Sequence, residues 1–104
     1  MKLLIMMILS ITLYSDNNSP AAKEAFEMGN KYYLGDSVKM DSLKAIPYFQ
    51  KSCKLKFYQA CTNLGIIYYY GHGVPQDDTK AKAYFAESCI GKEALGCKYY
   101  KGID

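Results

Sequence analysis

The chemistry open to this chain rests on four cysteines, a single histidine and a few serines. The cysteines form two pairs, Cys53 to Cys61 (CKLKFYQAC) and Cys89 to Cys97 (CIGKEALGC), each enclosing seven residues. Structural zinc sites usually space their cysteines about two to four residues apart, so this spacing points to disulfides and not to a metal. An even cysteine count in a small domain of an oxidising compartment is a disulfide framework. On one continuous helix, residues eight apart lie ~12 Å apart along the axis, whereas a disulfide needs its Cα atoms within ~7 Å. Pairing within each motif therefore requires the chain to reverse between its cysteines, and Gly91 is placed to supply the turn in the second.

Other chemistry finds little footing. His72 stands in a glycine loop, Gly71-His72-Gly73, with no carboxylate beside it. A hydrolytic metal site needs clustered histidines or carboxylates, and the sequence has no such cluster. Oxidised cysteines leave no thiolate nucleophile. Ser37, Ser42, Ser52 and Ser88 all lack the lysine three residues on that a serine β-lactamase motif requires, and Lys-Thr-Gly is absent. The sequence therefore assigns no catalytic residue, no metal ligand and no cofactor. Residues 16–104 hold twelve lysines, no arginine and ten acids, a charge near +2 with the signs interspersed. Nucleic-acid binding calls for a clustered basic footprint, so no nucleic-acid partner is expected.

The elements that position these residues come from an internal repeat. Residues 25–60 laid over 61–96 without a gap give thirteen identities, among them Gly29/Gly65, Tyr32/Tyr68, Gly35/Gly71, Asp41/Asp77, Phe49/Phe85, Ser52/Ser88 and Cys53/Cys89. A gapless self-match at a period of about 20 to 50 residues signals stacked helical repeats. Apolar spacing and caps predict helices over 21–34, 42–55, 58–70, 78–90 and 93–101. The core side of the second is expected to be Leu43, Ile46, Phe49 and Cys53, with Ala45 allowing close approach and Pro47 introducing a kink. Tyr32, Tyr48, Tyr68 and Tyr84 are expected in the core. The fold class is all-α: a solenoid of two helix-pair repeats (25–60 and 61–96) plus a terminal helix in a partial third (97–104). Equal cysteine gaps at the repeat period predict the bridges Cys53–Cys61 and Cys89–Cys97. Each would join the second helix of one pair to the first helix of the next.

Ahead of this domain (21–104), Lys2 and the apolar run Leu3 to Leu13 have the proportions of a secretory signal peptide. It spans residues 1–15, with an ill-marked cut reaching as far as 21. The run is shorter than the ~20 apolar residues of a spanning helix, so no stable membrane insertion is expected.

Leu64-Gly65-x2-Tyr68, Gly71-x-Gly73-Val74-Pro75-x-Asp77 and Ala81-x3-Phe85 together resemble the Sel-1-like repeat, a relative of the tetratricopeptide repeat. With the added Cys-x7-Cys, residues 21–101 are similar to the Helicobacter cysteine-rich proteins, which are secreted disulfide-bridged arrays. The resemblance implies a secreted or periplasmic adaptor for a protein or peptide. Its alternative implication is a β-lactam-binding protein with weak β-lactamase activity and a cell-wall or β-lactam-like ligand. In such arrays the first helices line a groove. Projected from the packing glycines, its candidates here are Lys23, Phe26, Asn30, Tyr33, Leu34, Gln59, Thr62, Asn63, Ile66, Tyr69 and Tyr70. Asn30, Tyr33, Asn63, Ile66, Tyr69 and Tyr70 carry the expectation, because amides hold a peptide backbone while rings pack its side chains.

Overall fold

A computed structural model describes residues 19–103 of the chain, and the expected leader lies outside them. Among the described residues the secondary structure is helical: α1 Pro20–Leu34, α2 Ser42–Lys54, α3 Tyr58–Tyr70, α4 Asp78–Ile90 and α5 Ala94–Gly102. No helix among them is long and apolar enough to cross a membrane. The chain folds as two helix pairs, α1 with α2 and α3 with α4, and α5 then packs on α4 and α3.

Local chemistry sets each boundary. The Ser19 hydroxyl accepts from the Ala22 N–H at 3.1 Å, and Pro20 opens the first turn of α1. α1 and α3 end on Gly35 and Gly71 at φ 73° and 70°, a conformation only glycine adopts at little cost. Asp41 and Asp77 then lock the following loops from both sides. Their N–H groups donate to the Tyr32 and Tyr68 carbonyls at 2.8 and 2.9 Å. Their carboxylates accept from the Lys44 and Lys80 N–H groups at 3.1 and 3.0 Å, capping α2 and α4.

The reversals between pairs are built differently. Lys56 and Lys92 take positive φ (70° and 65°), and Phe57 and Glu93 donate back to the Ser52 and Ser88 carbonyls. These turns bring the cysteines together as expected, Cys53–Cys61 with Cα atoms 4.9 Å apart and Cys89–Cys97 at 4.4 Å. Closing each short loop stabilises by ~2.5 kcal/mol in the chain-entropy picture. Gly91 does not make the turn: its φ is −77° and Lys92 carries the left-handed step. Glycine is required there because the Tyr58 ring occupies the space a Cβ would need.

Within each pair a ring lies flat on a glycine. A Cβ on Gly29 would sit 2.6 Å from the Phe49 ring, and one on Gly65 would sit 2.5 Å from the Phe85 ring. Phe49 and Phe85 are fully buried, as are Leu64 and Ile67. Ser52 and Ser88 are buried too and stitch the pairs together. Ser52 donates to the Ala22 carbonyl at 2.7 Å. Ser88 reaches the equivalent Tyr58 carbonyl through Thr62, with hydroxyls 2.5 Å apart and a second step of 3.3 Å.

Two expectations about packing are corrected, those for Leu43 and for the four tyrosines. Leu43 is 65 % exposed, because it shares the outer face of α2 with Pro47 four residues on. α2 runs from Ser42 to Lys54 through Pro47, whose ring is exposed on that outer face. Tyr32, Tyr48, Tyr68 and Tyr84 are half-buried and not core. They stack as Tyr32–Tyr48 and Tyr68–Tyr84 (centroids 5.9 and 6.0 Å), with Lys44 and Lys80 over the first ring of each pair.

Candidate functional site

The first helices α1, α3 and α5 form one layer and α2 and α4 the other, so the first layer keeps an open face. α3 is the middle of that layer, and its sequence YQACTNLGIIYYY holds no charged residue. Amides and phenols therefore supply the polar groups of its exposed side.

Two of the expected residues meet directly. Asn63 Nδ2 donates to Asn30 Oδ1 at 3.3 Å, joining α1 to α3. That bond leaves the Asn30 NH2 and the Asn63 carbonyl oxygen unshared among the described residues, a donor beside an acceptor. A peptide unit offers the matching acceptor and donor. Ile66 is half-buried and packs toward the Phe85 cluster. Tyr33 and Tyr69 are partly committed inward, edge-on to Phe49 and Phe85 at 6.1 and 6.4 Å. Tyr70 is 53 % exposed. Thr62 leaves the candidate set, because it is buried and bonded to Ser88. Phe26 leaves it as well, packed between Phe49 and Phe57.

The rings join into a row across the open face. Tyr33 Oη and His72 Nδ1 are 2.8 Å apart, so the loop after α3 is tied back to α1. His72 stacks on Tyr70 with centroids 5.5 Å apart. The Tyr70 and Tyr99 hydroxyls lie 3.2 Å apart, bringing α5 into the row. Tyr99 stacks in turn on Phe85 at 4.7 Å. The bond to Tyr70, then burial, hold the Tyr99 phenol above its ordinary pKa, and burial does the same for Tyr33. These phenols stay neutral donors and acceptors throughout the neutral range.

A cleft opens at each end of the row. One of about 580 Å³ is lined by Tyr33, Leu34, Met40, Ser42, His72 and Gly73. The other, about 240 Å³, is lined by Tyr69, Leu95, Lys98, Tyr99 and Gly102. His72, Met40, Leu95, Lys98 and Tyr99 were not among the residues expected from sequence. The repeat period could have found the last three, since it sets Leu95, Lys98 and Tyr99 over Gln59, Thr62 and Asn63. Met40 sits in the first connector, and His72 has Asp36 as its equivalent, so neither shows in the self-match.

The arrangement offers hydrogen bonding, ring stacking and apolar clefts. Among the described residues no cluster of His, Cys, Asp and Glu could hold a metal ion, and all four cysteines are bonded. Residues 25–57 and 59–90 match the family model described as Sel1 repeat. No curated protein matches the chain at a significant level.

Proposed function

The chain belongs to the Sel1 repeat family, whose repeats are generally protein-interaction modules, and from that premise we propose that it is an exported adaptor that grips an extended peptide along the α1–α3–α5 face. The observation that carries this is the Asn30–Asn63 pair on a charge-free middle helix. It places an unshared donor and acceptor side by side, with rings on both sides to pack neighbouring side chains. Two disulfides suit an oxidising compartment, which supports a secreted or periplasmic setting reached through the Leu3–Leu13 leader. Nothing in the geometry favours the β-lactam-hydrolysing alternative or a cell-wall ligand. The repeat serines Ser52 and Ser88 are buried in helix contacts, and no cysteine is free.

Protein recovered from its native cell tests both halves. Its intact mass should lack the leader, and a co-purified partner should be lost in the Asn30→Ala/Asn63→Ala double variant but kept in Lys51→Ala on the outer face of α2. Retention of Met1 in a cytoplasmic fraction overturns export. Partner capture indifferent to the double variant overturns the groove.

A further inference from the structure

The open face is not electrically uniform, and its asymmetry selects among peptides. α3 contributes no charge. α1 contributes both signs, Lys23, Glu24, Glu27 and Lys31, which offset one another. α5 contributes Lys98 and Lys101 and no acid. Lys44, Lys80 and Lys82 each lie over a tyrosine ring. Lys98 has neither such a ring nor a carboxylate partner among the described residues, and it lines the cleft between Tyr69, Leu95 and Tyr99. Among the described residues no acidic side chain lines that cleft, so nothing there offsets the ammonium charge.

The opposite end is apolar. The larger cleft has no lysine, aspartate or glutamate in its lining, and Leu34 and Met40 are 67 % and 65 % exposed there. From this cleft to Lys98 the face crosses from α1 to α5, two helix spacings of roughly 8–10 Å each. An extended chain advances ~3.3 Å per residue, so the crossing takes about five residues.

We infer that the groove takes an acidic extended peptide, with a large apolar side chain in the Tyr33–Met40–His72 cleft and, about five residues away, a carboxylate on Lys98. This rests on the peptide-groove reading above and adds the partner's chemistry and spacing. The carboxylate comes from an Asp or Glu side chain or from a chain end, and both present the same group to the lysine.

Selection of a random twelve-residue display library on the oxidised protein tests it, in internal and free-C-terminus formats that separate the two carboxylate sources. Enriched sequences should carry Phe, Leu, Met or Trp about five residues from an Asp, a Glu or a free terminus. A synthetic peptide of the leading sequence should lose binding at least tenfold to Lys98→Glu and to Met40→Ser, and should keep it in Lys51→Ala. Both altered side chains are exposed, so the fold is retained and circular dichroism checks it. Enriched peptides without an acidic group, or affinity indifferent to Lys98→Glu, overturn the inference and leave the groove standing. No enrichment in either format overturns the groove reading itself.

Discussion

Gly91 shows how single residues decide the packing of this array. One period before Tyr58 and Gly91 stand Ala22 and Leu55, so the small and the large residue exchange places between the two copies. The Tyr58 ring fills the space of the missing Cβ, and one added methyl meets it directly. Gly91→Ala should destabilise by about 1–3 kcal/mol, the range for overpacking a filled site. Urea denaturation checks this, and Tyr58→Ala in the same chain should relieve most of the added cost, since the two sites touch. Equal losses in single and double variants would show that backbone freedom, not the ring, sets the glycine. The sequence identifies Gly91 as special but for a different reason, because a contact 33 residues away in sequence leaves no local trace. Thr62 misleads in the same way: helical phase puts it on the open face, and only the position of Ser88 shows that its hydroxyl is needed inside.

At the scale of elements, sequence and structure agree closely, because half of the helix ends carry their own chemical mark: Ser19, Gly35, Asp41, Gly71 and Asp77. The open face is less legible, because its ring row depends on how α5 and the His72 loop are placed against α1 and α3. Helix α5 has the weakest claim to independent order, since isolated helices shorter than ~12 residues are marginal in water and this one has 9. Its anchors are the Cys89–Cys97 bridge, the Phe85–Tyr99 stack and buried Ile103. Cys89→Ala/Cys97→Ala should therefore release residues 94–103 first, with fast amide exchange there while residues 43–70 stay protected. Hydrogen exchange by mass spectrometry reads the difference, and uniform loss of protection would mean that the array unfolds as one unit. Release of α5 should also weaken an acidic peptide, because Lys98 goes with it.

At the scale of the whole molecule, two positions one repeat period apart are chemically unlike. At the inner junction Ile46, Leu64 and Ile67 are in the core; one period later stand Lys82, Tyr100 and Ile103. The Lys82 ammonium lies over the Tyr100 ring at 5.3 Å, at a cleft of about 310 Å³ between α4 and α5. The surface that is an apolar socket at the inner junction thus carries a cation on a ring here, an arrangement suited to water. Lys82→Ile with Tyr100→Leu should restore the socket and make the chain self-associate, seen as a concentration-dependent rise in mass by sedimentation. An unchanged mass would show that this end does not limit stacking. The two bridges have a mechanical consequence as well. Each closes a ring across a junction, from Cys53 to Cys61 and from Cys89 to Cys97, so tension along the chain passes through sulfur and bypasses the turn. Under load the junctions behave as welds and the helix pairs as the parts that give, and the segments inside the rings add nothing to the length that stretching can release.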